Sequence, residues 1–284
     1  MDMLCGLISI PSEVLSDAEI FINFDEESVL KQHMAIFGFN PIHVHSLPDG
    51  WVFGHEIHIN VGYHEAMCLH QSWKQLHNLF YEKMNLSGIK PINHVFLNKE
   101  KGKWSHIRNL DEIIDVAKQM YPGYNWINIP IEKTRNTSEI ARIFAETKLL
   151  ISSGGSLSFN NIFMQPACGL LMYCGSCPVD TGTVATACVL DLWFFASPTP
   201  EIETWKIKDP APRYDPSKFK RDLPYIVYAV YNQSWPADID KVGKIFYPGD
   251  YKEGLRKILL DHNLNSSTIV RYDELDTNNF LIEV

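Results

Sequence analysis

The chain has 284 residues, 45% hydrophobic and 21% charged, with 16 glycines and 16 prolines; this ordinary globular usage excludes intrinsic disorder, collagen-like repeats and coiled coil. Twenty-five basic against thirty-four acidic residues give a formal net charge of −9, which disfavours a broad nucleic-acid footprint but not a compact anion that needs a few local donors. No run reaches the roughly 18 apolar residues of a membrane helix, and Met1–Pro11 carries Asp2 without a basic residue, so no secretory leader and a cytoplasmic location are expected.

In chain order, Ala18–Phe24 reads as a buried strand. Asp25-Glu-Glu-Ser then opens a helix whose apolar stripe, Val29, Leu30, Met34, Ile36 and Phe37, ends at Gly38. Pro41–Ser46 alternates like a second strand, stopped by Pro48-Asp-Gly50. A third strand is expected within Trp51–Asn60 and a long helix over His64–Met84. Leu86–Pro91 is the first plausible linker. Beyond it, strands are expected at His94–Leu97, Trp126–Ile131, Leu149–Ser152 and Gly169–Tyr173. Helices are expected at Asn109–Met120, Ser138–Glu146 and Ser156–Met164. Thr199–Pro224, rich in proline and charge, reads as irregular, and Tyr251–His262 as a closing helix.

Strands separated by helices indicate βαβ units and parallel sheets. Two runs of the pattern predict an α/β protein of two Rossmann-like, doubly wound domains facing across a cleft, residues 1–88 and 89–284, with the C-terminal helix as a candidate to complete the first.

The most informative segment is Leu149-Leu-Ile-Ser-Ser-Gly-Gly-Ser-Leu-Ser-Phe-Asn-Asn-Ile-Phe-Met164. A hydrophobic strand enters Gly154-Gly155 and then a predicted helix. Glycines let the backbone approach a ligand closely, and a helix start offers free N–H groups to phosphate. Ser153, Ser156 and Ser158 add hydroxyls. The segment is not a Walker loop, a Rossmann fingerprint or a nucleophile elbow, because the required spacings are absent.

The loop after His94–Leu97 gathers Lys99, Lys101, Lys103, His106 and Arg108 in an otherwise acidic chain. It leaves a strand at the same sheet edge as the glycine turn. Cations there would stabilise a diphosphate leaving group, and Arg108 suits a bidentate grip on phosphate. Lys133-Thr-Arg135, after the next strand, is a third candidate rim. The bland alternative for each is a solvated charged loop.

These residues resemble glycosyltransferase family 61, which includes protein O-linked N-acetylglucosaminyltransferases and plant xylosyl- and arabinosyltransferases. The resemblance lies in Leu97-Asn-Lys99, in Arg108-Asn-Leu-Asp-Glu112 and in Ser152-Ser-Gly-Gly-Ser-Leu-Ser-Phe-Asn-Asn-Ile-Phe-Met164. It implies a GT-B fold and a UDP-sugar held mainly by the second domain through Lys99, Arg108, Asn109, Lys133, Arg135, Ser153, Gly154, Gly155, Ser156, Leu157, Ser158 and Asn160. It further implies inverting transfer to a hydroxyl of a glycan or glycoprotein, with xylose the expected sugar because many relatives use pentoses. The chain departs from the family pattern in lacking a histidine between the glycines and in carrying Leu170-Leu-Met-Tyr173 where a glutamate is common. Those departures support the alternative, a non-catalytic nucleotide-sugar-binding or degenerate transferase-like protein.

Inversion needs a general base within reach of the acceptor oxygen. Asp25, after the first strand, and His64, where the third strand gives way to a helix, are the candidates; Asp25 serves equally well as a helix-dipole partner. No metal site is expected. His55-Glu-Ile-His58 lacks the i, i+4 pairing of helical zinc motifs, Asp238-Ile-Asp240 reads as surface, and Cys174-Gly-Ser-Cys177 has no second cysteine pair. No cofactor beyond the donor is expected, since a helix terminus and cations can stabilise the diphosphate without a divalent ion.

Overall fold

The structure is a computed structural model that describes residues 2–8, 10–22, 27–47, 49–57, 70–103, 106–154, 156–174, 183, 186–187, 190–198, 213–246 and 280–283. Seven strands form its main sheet: β3 (Asn93–Leu97), β4 (Asn125–Ile129), β5 (Thr147–Ser153), β6 (Gly169–Cys174), β7 (Trp193–Pro198), β8 (Gly243–Phe246) and β9 (Phe280–Glu283). Their spatial order is β4-β3-β5-β6-β7-β9-β8. All pairings are parallel except β8 with β9. Every residue of β3 is buried, as expected of a parallel strand covered on both faces.

Alternate residues of the sheet feed two separate cores. Val95, Leu97, Leu150, Leu170, Met172 and Phe194 face one; Phe96, Leu149, Ile151, Leu171, Tyr173 and Phe195 face the other. Helix α5 (Leu110–Met120) lies on the second face with Leu110, Ile113, Ile114 and Ala117 buried at helical spacing. Helix α6 (Thr137–Ala145) lies on the first with Ile140, Ala141 and Phe144. Asn136 caps α6 by accepting the Glu139 N–H at 3.1 Å. The chain therefore leaves β3 to one face and β4 and β5 to the other, and the strand order reverses between β3 and β5.

Several expectations are corrected. Thr199–Pro224 is not irregular throughout: Pro216–Asn232 forms helix α7 on the second face. Its N-cap Asp215 accepts the Ser217 N–H at 2.8 Å, and Pro216 sits at the first position, where a missing N–H is harmless. Phe219, Leu223, Ile226, Val227 and Val230 bury a stripe that outweighs the internal Pro224. Ser156–Phe163 is a 3-10 helix, not an α-helix. Pro41–His43 is also a 3-10 turn, which leaves only Val44–Ser46 as strand β2. The described part of the third expected strand, Trp51–Ile57, contains no strand and is exposed throughout; the expected closing helix Tyr251–His262 lies outside the described residues.

Ahead of the main sheet come α1 (Asp2–Leu7), α2 (Ser12–Leu15), β1 (Ile20–Ile22), α3 (Glu27–Ile36), β2 and α4 (His70–Lys83). Strands β1 and β2 form a two-stranded parallel sheet. Helix α3 ends in a Schellman cap: the Gly38 and Phe39 N–H groups reach the Ala35 and Met34 carbonyls, with Gly38 at φ +89°. Leu4, Met34, Trp73 and Phe80 belong to the same core as Val95, Leu150 and Leu170. The Gln32 carboxamide accepts the Thr137 N–H at 3.1 Å and donates to the Arg135 carbonyl at 3.3 Å, fastening α3 to the start of α6.

Candidate functional site

In an open parallel sheet, ligands bind beyond the carboxyl ends of the strands where the strand order reverses, because outgoing connections there part to opposite faces and leave a crevice. Here that crevice lies between β3 and β5. Leu97 pairs in register with Ser152, so the loop after β3 and the turn after β5 start at the same height. The crevice is thus walled by the described parts of the two segments that the sequence singles out, residues 98–103 and 106–109 on one side and 153–154 and 156–160 on the other.

The β3 wall is built by one side chain. Asn98 Oδ1 accepts the Lys99 N–H at 3.0 Å and the Ile107 N–H at 2.9 Å, while its Nδ2 donates to the Ile107 carbonyl at 2.7 Å. These bonds staple the start of the loop, at Asn98 and Lys99, to its end at Ile107. His106 Nδ1 donates to the Lys99 carbonyl at 2.6 Å. Lys99 is buried at 8% exposure. Arg108 is exposed and has no carboxylate partner among the described residues. Asn109 is committed to structure: Nδ2 donates to the Tyr214 carbonyl and to Glu112, both at 2.9 Å, and Oδ1 accepts the Tyr214 N–H at 3.0 Å. Glu112 also receives Arg213 at 2.8 Å, and the Asn109 amide and this guanidinium hold its carboxyl below the usual range.

On the β5 wall, the Gly154 N–H donates to the Tyr173 carbonyl at 3.1 Å, so this amide serves the turn. Ser158 Oγ donates to the Ser153 carbonyl at 2.7 Å and Asn160 Nδ2 to the Leu157 carbonyl at 2.9 Å. These bonds wind the segment tightly after the turn. Gly155 lies outside the described residues; Ser156 opens the 3-10 helix. Ser153 Oγ and the Tyr173 hydroxyl are buried without a hydrogen-bond partner, although buried polar groups are normally satisfied. The two residues pair in register at the ends of β5 and β6. Burial pushes the Tyr173 phenol up, so it remains a donor.

The third rim differs from expectation in its charge. Lys133 Nζ meets Glu139 at 2.7 Å and Arg135 Nη2 meets Glu100 at 3.0 Å. Both cations are already partnered by carboxylates at the surface, which leaves Arg108 as the better-placed cation for an anion. Asp25 and His64, the candidate bases, lie outside the described residues, as do His58 and Cys177. Asp238 and Asp240 are exposed, and Asp238 pairs with Lys241 at 3.5 Å. Among the described residues no group of three His, Cys, Asp or Glu side chains is placed to hold a metal ion, and no helix is long and apolar enough to cross a membrane.

Two features escape the sequence. At the end of β7, Ser197 Oγ donates to Asp222 Oδ2 at 2.7 Å and lies 2.6 Å from the Tyr214 hydroxyl, while Arg221 holds Asp222 Oδ1 through Nε and Nη2 at 2.8 and 2.7 Å. This buried network pins α7 to the sheet edge; the only sequence signal is Asp222 on the apolar face of a helix. The second feature is a stripe on α4 that touches the segment after the glycine turn, a target more than eighty residues away in the chain.

Residues 1–171 match the model of a known family, described as Glycosyltransferase 61. The matched stretch contains both walls of the crevice. No curated protein matches the chain.

Proposed function

Given that the chain belongs to the glycosyltransferase 61 family, and so takes a sugar donor and an acceptor, we propose that the β3/β5 crevice holds the diphosphate of a UDP-sugar. The observation that carries this is the strand order β4-β3-β5, which sets the stapled basic loop and the glycine turn on either side of the one crevice. The amides that open Ser156–Phe163 and the unpartnered Ser153 hydroxyl contact the diphosphate, and Arg108 neutralises charge that develops on it as the glycosidic bond breaks. The proposed reaction is inverting: an acceptor hydroxyl of a glycan or glycoprotein attacks the anomeric carbon while a base takes its proton. Xylose is the first sugar to test, and Asp25 and His64 the first bases. Residues 1–88 act on the acceptor side of a GT-B arrangement, and no divalent ion is required.

The experiment is release of UDP from a panel of UDP-sugars, UDP-xylose first, with and without glycan acceptors. Turnover that Asp25→Asn or His64→Ala abolishes supports transfer. Absence of turnover with every donor refutes it. The second reading, a degenerate transferase that binds without turnover, is favoured by the neutralised rim at Lys133 and Arg135; it predicts UDP-sugar binding with no UDP release.

A further inference from the structure

Helix α4 carries Trp73, His77 and Tyr81 at i, i+4 and i+8, one above the other on a single face. All three meet the segment that follows the glycine turn. The Trp73 ring stacks on Phe159, with centroids 5.9 Å apart and planes inclined by 16°. His77 Nδ1 donates to the Ile162 carbonyl at 2.6 Å, and the Tyr81 hydroxyl donates to the Phe163 carbonyl at 2.8 Å. Both bonds are buried, and the His77 and Tyr81 rings pack at 4.2 Å.

Those two carbonyls are the last of Ser156–Phe163. The final carbonyls of any helix lack partners within it and must find them elsewhere. A 3-10 run of eight residues is also unusually long, because its own hydrogen bonds are poorly aligned. The segment is therefore held from outside, by donors more than eighty residues away in sequence. We propose that His77 and Tyr81 are positioning residues: by fixing the far end of this segment they set where its first residues, beside the crevice, present themselves to the donor. This rests on the reading that the crevice binds a nucleoside diphosphate.

The test compares Tyr81→Phe, which removes one oxygen, His77→Leu, which removes the donor, and His77→Asn, whose amide nitrogen takes the place of Nδ1. UDP affinity and amide hydrogen exchange over residues 156–164 are measured for each. Tyr81→Phe and His77→Leu should weaken UDP about three- to tenfold, the scale of a lost buried hydrogen bond, and speed exchange in the segment while melting remains cooperative. His77→Asn should recover most of both. Unchanged exchange and affinity in Tyr81→Phe, or His77→Asn no better than His77→Leu, would overturn the proposal. If the wild-type chain binds no UDP, the donor reading fails, and the exchange comparison alone still decides whether α4 holds the segment: faster exchange upholds the clamp and unchanged exchange overturns it.

Discussion

Leu97 and Ser152 stand opposite each other in the parallel β3–β5 ladder, and two residues further on each strand has become a wall of the crevice. Beyond Leu97 the chain arches through Asn98 and turns into α5 on one face. Beyond Ser152 it turns at Gly154 and packs on the other. The cations of the rims after β3 and β4 are unequal, because Arg135 is paired with Glu100 whereas Arg108 has no carboxylate partner among the described residues. Arg108→Ala should weaken UDP about tenfold, the scale of a charge-assisted hydrogen bond to phosphate. Arg135→Ala, which breaks a surface pair with Glu100, should change affinity less than twofold. Equal effects of the two substitutions, read by fluorescence titration, would place the diphosphate elsewhere.

Gly169 begins β6 directly beneath α7. A Cβ built there falls 2.3 Å from Val230 Cγ2 and 3.0 Å from Leu149 Cδ1, and a valine in a helix has little rotamer freedom to yield. Gly169→Ala should cost about 1–3 kcal/mol through overpacking, seen as a lower urea midpoint. A paired Gly169→Ala, Val230→Ala variant should lose less than the sum of its single substitutions.

Acid should destabilise the fold through buried imidazoles. Burial pushes His33 down to about 3 and His94 down to about 4, and lowers His77 as well. Each is neutral when folded and takes a proton more readily when unfolded, so unfolding takes up protons below the ordinary histidine value near 6.5. Stability is intact above that pH and falls as pH drops towards 4, by an amount on the order of a few kcal/mol. His33→Leu, which keeps contact with Phe80, should shift the midpoint of acid unfolding to lower pH. An unshifted midpoint would show that His33 carries none of the linkage.

Much of this architecture is legible in the sequence because its central elements are periodic. Leu110, Ile113, Ile114 and Ala117 mark α5 without ambiguity, and the buried run of β5 points straight into its glycine turn. Helix α7 is hidden by Pro216 and Pro224, although Asp215-Pro216 is a good capping signal. Ser156–Phe163 reads as α-helical, whereas in the structure it is a 3-10 run whose last carbonyls are bonded by His77 and Tyr81, far away in the chain. Strand β7 carries Trp193-Phe-Phe, a continuous apolar run that alternation does not flag. In the crevice, the residue types at Arg108 and Gly154 are legible, whereas the commitment of Asn109 to Tyr214, and of Lys133 and Arg135 to glutamates, appears only when distant segments meet.

The most direct test is calorimetric titration of the full chain with UDP, run in parallel on Gly154→Val, whose side chain would block backbone approach to a ligand. One-site saturable binding by the wild type, lost in a Gly154→Val variant that still melts cooperatively, is the predicted result. Wild-type-like binding by a folded Gly154→Val variant, or no binding of any nucleoside diphosphate by the wild type, would contradict it.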